Sequence, residues 1–190
     1  MMTYILQALE LAYDVLTAPK AALLRISREE LYKPGIVIYM FPFIAGALAL
    51  SAASGGGWEF LLSSMISGGI ALFILTAFVH LSAVILGGHG SIRGMASCFL
   101  YTGLPANFLL LTAILESVLP HSLISLLSSA VSLWMLALHV LAVAENYGMG
   151  YIRSFIALFF PVLILLSLLF LILFAAFASL LGAMEAALLG

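Results

Sequence analysis

The stretch that decides the fold is SFIALFFPVLILLSLLFLILFAAFASLL, from Ser154 to Leu181, which holds no charged side chain. A helix needs about 20 mainly apolar residues to cross the hydrocarbon core of a bilayer. This segment exceeds that, and its only polar side chains are Ser154, Ser167 and Ser179. A helix that is apolar all round has no polar face to turn to water, so lipid or a large core must surround it. At 1.5 Å per residue it also outreaches a ~30 Å core. Tilt, a kink at Pro161 or an interfacial end must absorb the excess.

The rest of the chain agrees. Of 190 residues, 65% are hydrophobic and 7% charged, against about 25% charged in soluble domains. The mean hydropathy is +1.30. Such a chain has no polar coat left once a core is filled. The net charge of −2 comes with no basic run, which excludes a nucleic-acid surface. A lone Cys98 makes neither an internal disulfide nor a cysteine-rich zinc site; it reads as a small buried hydrophobe. The first residues lack a basic n-region, and Glu10 and Asp14 interrupt the apolar positions, so no secretory signal is expected.

Four further segments have the length of a span: Pro34–Ala53, Phe60–Leu86, Met95–Leu115 and Ser122–Ala144. Glycine and proline punctuate the gaps: Ser54-Gly55-Gly56-Gly57, Gly87-Gly88-His89-Gly90, Pro120-His121, and Glu145-Asn146-Tyr147-Gly148-Met149-Gly150. Lys20, Arg25, Arg28 and Lys33 precede the first span, Arg93 lies in the second connection and Arg153 in the fourth. Those are all six basic residues, and five spans put every one on a single side. Four or six spans would break that segregation. Cytoplasmic loops carry the Lys/Arg excess, so the N-terminus is expected in the cytoplasm and the C-terminus outside the cell membrane. Trp58 at the outer face, and Tyr32, Tyr147 and Tyr151 at the inner one, fit interfacial anchoring.

Residues 1–33 differ. Tyr4, Ile5, Ala8, Leu11, Ala12, Val15 and Leu16 recur at helical spacing among Gln7, Glu10 and Asp14, which predicts an amphipathic helix too polar to span. Pro19 restarts a second helix through Leu23, Leu24 and Ile26. Both helices either lie on the cytoplasmic membrane surface or cap the ends of the bundle. The expected fold is therefore all-α: a bundle of five transmembrane helices over residues 34–182, preceded by one or two amphipathic interfacial helices and followed by a short external tail, 183–190.

Inside the spans, Pro42, Pro105 and Pro161 lack an N–H and free the carbonyls of Ile38, Tyr101 and Ala157. Each marks either a packing kink or a broken helix lining a path. Ala45, Ala49 and Ala53, and Ser64 and Gly68, are spaced four apart, which lets helix backbones approach closely within the bundle or at a homo-oligomer seam. His80 and His139 lie seven residues before Gly87 and Asn146, at one depth near the cytoplasmic end. With Gly87, Gly88, His89, Arg93, Glu145 and Arg153 they form a candidate polar cluster at that face. Buried imidazoles there either tie helices together by hydrogen bonds or serve a proton or ion path. No His-x-x-x-His or Glu-x-x-His pair gives local metal spacing. No nucleophile elbow, phosphate loop or dinucleotide fingerprint is present. Neither a catalytic residue nor a cofactor or metal site is assigned.

Several segments together resemble the Yip family of Ypt/Rab-interacting membrane proteins. The run His80-Leu81-Ser82-Ala83-Val84-Ile85-Leu86-Gly87-Gly88-His89-Gly90-Ser91-Ile92-Arg93-Gly94 is similar to that family's second span and basic loop. Tyr101-Thr102-Gly103-Leu104-Pro105 looks like its Tyr-x-x-x-Pro, and Trp134 with Glu145-Asn146-Tyr147-Gly148 like its fourth span and exit. Glu30-Leu31-Tyr32-Lys33-Pro34 resembles the Asp-Leu-Tyr-Gly-Pro of eukaryotic members, with Lys33 in place of the glycine. The short stretch before the first span is similar to prokaryotic members. The resemblance implies a five-span, non-enzymatic protein. In eukaryotic relatives a long N-terminal region is implicated in binding Rab GTPases, and nothing in this sequence matches that region. The expected function is organisation of membrane lipids or partner proteins through the cytoplasmic face, with a small transporter or channel using His80 and His139 as the alternative.

Overall fold

The structure, a computed structural model, describes residues 2–54, 57–116 and 118–189. Gly55 and Gly56 of the first break lie outside the described residues. So do the side chains of Ala49, Ala53 and the tail from 183 onward.

The described elements are helical. Helix α1 spans Met2–Thr17 and α2 spans Pro19–Glu29. Pro19 opens α2 at a position where its missing N–H costs nothing. Glu30 closes α2 in the left-handed region at φ 50°, its N–H and that of Leu31 both donating to the Ile26 carbonyl. Helix α3 covers Tyr32–Ser54 and α4 covers Gly57–Ile85. Helix α5 spans Ile92–Thr102; a 3-10 turn at Leu104–Ala106 and α6 at Asn107–Leu115 follow. Helices α7, His121–Tyr147, and α8, Tyr151–Leu189, complete the chain.

Four helices or helix pairs are long and apolar enough to cross a membrane: α4, α5 with α6 and their linking turn, α7, and α8 over Tyr151–Ser179. Helix α3 adds a shorter apolar stretch, Tyr32–Leu48. The three prolines behave differently. Pro42 and Pro161 sit inside unbroken helices. Pro105 falls two residues after Gly103, a poor helix former, and there the helix tightens into the 3-10 turn. The Tyr101 carbonyl that Pro105 cannot serve accepts from the Gly103 N–H. The Leu104 carbonyl accepts from the Asn107 side chain at 2.9 Å.

Met1–Leu158 form one compact unit and Phe159–Gly190 another. In the first, α5 is central. It touches α2, α3, α4 and α7, and half of the Ile92–Thr112 window is buried, against 22% for α4 and 17% for α7. Met95, Cys98, Phe99, Leu100 and Tyr101 form the middle of the core. Helices α4 and α7 turn large side chains such as Phe73, Leu81, Leu126 and Leu133 outward, which water would penalise and lipid does not. The apolar faces of α1 and α2 are covered: Ala8, Leu11, Ala12, Val15, Leu23 and Ile26 are buried among α3, α5 and α7. In the second unit the described side chains from Val162 to Ser179, Leu166 and Phe170 among them, are exposed, and Phe170 and Phe174 stack at 6.4 Å.

Candidate functional site at the loop ends of α4 and α7

Helix α7 ends where Gly148 enters the left-handed region at φ 64°, so that the N–H groups of Gly148 and Met149 both reach the Ala144 carbonyl. This αL ending turns the chain sharply and holds Asn146 and Tyr147 against the α4–α5 loop. That loop is shaped to receive them. Gly87, at φ 86°, reverses the chain, and the Gly88 N–H donates back to the Ala83 carbonyl at 2.8 Å. The His89 N–H then donates to the Tyr147 carbonyl at 3.1 Å.

Two glycines of the loop and one in the first turn of α5 leave room for α7. A Cβ on Gly88 would lie 2.8 Å from Tyr147 Cβ. One on Gly90 would strike the Asn146 backbone and the Tyr147 ring. One on Gly94 would come within 2.5 Å of Asn146 Oδ1 and 2.7 Å of the Ser27 carbonyl. Into this space Asn146 projects a side chain that satisfies both its ends. Ser27 Oγ donates to Asn146 Oδ1 at 2.9 Å, and Asn146 Nδ2 donates to the Ser91 carbonyl at 3.0 Å. Ser91 also caps α5, its Oγ accepting from the Gly94 N–H at 2.8 Å, and donates to Glu30 Oε1 at 3.0 Å. One amide thus joins α2, the α4–α5 loop and α7, elements up to 119 residues apart.

The two imidazoles are used separately. His80 Nδ1 and Tyr147 Oη share a hydrogen bond of 2.7 Å, which links α4 to α7. His139 Nδ1–H donates to the Met135 carbonyl at 2.7 Å. Its Nε2 faces Thr102 Oγ1 on α5 at 3.3 Å, and its ring lies 5.2 Å from that of Phe99. Among the described residues no hydrogen bond joins His80 to His139, or either to Glu145. Glu145 instead pairs with Lys20 at 3.8 Å; Lys20 is 68% exposed, so solvent screens most of that attraction. Arg25 pairs with Glu10 and Glu29 at the surface. Arg93 is exposed on the side of α5 that faces α4. Arg153 lines an open bay of about 480 Å3 with Gly87, Gly148 and Gly150.

Of the sequence-predicted residues, His80, Gly87, Gly88 and His89 therefore gather at one junction through Tyr147, with Glu145 beside it. His139 lies on another contact, and Arg93 and Arg153 face outward. The residues that sequence reasoning left out of the cluster are Ser27, Ser91, Asn146, Gly90 and Gly94. The signal for four of them lay in the two motif segments that carry the family resemblance; Ser27 had none.

The arrangement offers hydrogen bonding and close packing, with no evident reacting group. Among the described residues no three His, Cys, Asp or Glu side chains come together as a metal site. Five well-formed surface cavities among the described residues of the first unit are lined by side chains other than His80 and His139.

A family model described as the Yip1 domain matches residues 13–184. No curated protein matches the chain. No solved structure matches it either.

Proposed function

This chain belongs to the Yip1-domain family of membrane proteins, and from that premise we propose that it is a non-enzymatic, five-span protein of the cell membrane that organises lipids or partner proteins through its cytoplasmic face. The observation that carries the reading is the Ser27–Asn146–Ser91 junction. It clamps α2 onto the α4–α5 loop and the end of α7, while α1 follows α2, packs on α3 and keeps one side outward. There Leu6 and Tyr13 are exposed beside Glu10, and Ile5 and Leu9 rim an apolar groove shared with Val37, Phe41 and Phe108. A fixed amphipathic helix of this kind suits the headgroup boundary or an apolar partner surface. The placement of all six Lys and Arg residues supports a cytoplasmic N-terminus and an external C-terminus.

A second reading, a small transporter, is favoured by one observation. The third span is broken at Pro105, and the buried Tyr101 Oη and Asn107 Oδ1 beside the break have no hydrogen-bond partner among the described residues. Broken spans with free polar groups are found where substrates cross.

Both readings are tested with the full chain in liposomes. Amide exchange of α1 and α2 is followed as the anionic lipid fraction rises, and proton and ion flux is measured in parallel. Slower exchange with anionic lipid and no flux above empty liposomes is the expected result. Flux that disappears in His80→Phe or His139→Phe would replace the first reading with the second.

A further inference from the structure

A groove of about 320 Å3 runs between α4 and α5, lined by Gly69, Leu72, Phe73 and Thr76 on one side and by Arg93 and Ala96 on the other. Its chemistry changes along its length. Arg93 stands in the first turn of α5 and makes no ion pair among the described residues. That turn carries the positive end of the helix dipole. Ser91 Oγ takes only the Gly94 N–H, which leaves the Ile92 and Arg93 N–H groups outside the helix's own ladder.

Next along α4 comes Thr76. It is 4% exposed, and among the described residues its hydroxyl has no hydrogen-bond partner. A hydroxyl inside a span ordinarily closes on the carbonyl four residues back, as Ser82 does on Phe78 at 2.8 Å. Thr76 does not, so a buried donor is left without an acceptor. Beyond it Phe73, Leu72 and Gly69 offer an apolar wall. A Cβ built on Gly69 would find no atom within 4 Å, so the groove stays open at that level.

An uncompensated cation at a helix N-terminus, then a lone buried donor, then an open apolar channel repeat the order of groups in a phospholipid: phosphate, ester, chain. We propose that this groove holds one anionic phospholipid. Its phosphate sits on Arg93 and the first turn of α5, an ester oxygen accepts from Thr76, and one acyl chain runs past Phe73 and Leu72 to Gly69. Thr76 and Gly69 are seven residues apart, about 10 Å along a helix. The proposal rests on the lipid-organising reading above and gives it a lipid class and a site.

The test is native mass spectrometry of the full chain in detergent. The probes are phosphatidylglycerol, phosphatidylcholine and diacylglycerol with the same acyl chains, and inorganic phosphate. One phosphatidylglycerol retained per chain, with at least a tenfold preference over phosphatidylcholine and diacylglycerol, is expected. Arg93→Gln should abolish the preference and Arg93→Lys restore part of it. Gly69→Leu should weaken both phospholipids alike, and Thr76→Val should weaken both severalfold. Equal retention of the two phospholipids, or a preference that survives Arg93→Gln, overturns the proposal. So does competition by inorganic phosphate at the concentration of the lipid, because the site would then read a free anion. Arg93 is exposed, so its variants test the groove without disturbing the core. If the preference survives Arg93→Gln while exchange of α1 and α2 still responds to anionic lipid, the groove is wrong and the wider reading stands. If the preference depends on Arg93 but α1 and α2 ignore lipid, the reverse holds.

Discussion

Asn146→Ala should uncover Cys98. The only thiol of the chain is fully buried, and its Sγ lies 3.5 Å from the Leu23 carbonyl of α2. A maleimide reaches it only when α2 lifts off α5, so the labelling rate reports the equilibrium of that opening. The alanine variant loses the bonds to Ser27 and to the Ser91 carbonyl. Neither partner is left fully orphaned. The Ser91 carbonyl still accepts from the Met95 N–H, and the Ser27 hydroxyl can close on its own helix. The loss is therefore two net hydrogen bonds at about 1 kcal/mol each. About 2 kcal/mol corresponds to a roughly 30-fold faster labelling of Cys98 in the full chain in detergent. Ser27→Ala removes one of the two bonds and should accelerate labelling about fivefold. The double variant should fall short of the product of the single effects, because the two side chains share a bond. Labelling within twofold of wild type in Asn146→Ala would refute the reasoning, since α2 would then be held by its apolar face alone.

The glycines give a contrasting pair. Gly94→Ala should cost at least about 2 kcal/mol, because its Cβ has no room beside Asn146 and Ser27 and displaces a buried polar contact. Gly103→Ala should be neutral or stabilise by up to about 1 kcal/mol, since Gly103 has φ −76° and open space around it. Thermal denaturation in detergent ranks the two. Gly148→Ala meets no atom but forces a side chain into the left-handed region, and a loss of about 1–2 kcal/mol is expected. Tyr147→Phe removes the bond to His80 and should cost about 1 kcal/mol, while Lys20→Met should change stability by less than about 0.5 kcal/mol. A Lys20 effect as large as that of Tyr147 would show that the surface pair with Glu145 has been undervalued.

The positions of the helices were legible because hydropathy and glycine punctuation act locally. The restart at Pro19 and the ends of α4 and α7 follow from single residues with fixed backbone preferences. The third span was expected over Met95 to Leu115, with Pro105 marking either a kink or a break. It is the break, two helices and a 3-10 turn, because Gly103 weakens the helix just where Pro105 removes its hydrogen bond. The partners of the histidines were not legible. Spans that are apolar all round do not reveal which face points inward, so a shared depth for His80 and His139 said nothing of their azimuth. One imidazole meets Tyr147 and the other Thr102. The part played by Asn146 needed three distant elements at once, and no local pattern in the sequence carries that.

The reach of that amide sets a schedule for biosynthesis. Ser27 and Asn146 are separated by 119 positions. A ribosome adds about 5–20 residues each second, so roughly 6–24 s pass between the making of α2 and the arrival of its clamp. Through that interval Leu23 and Ile26 have no α7 to cover them. Until then α1 and α2 have only α3 and α5 to pack against. This clamp can close over the N-terminal segment only once α7 has been made.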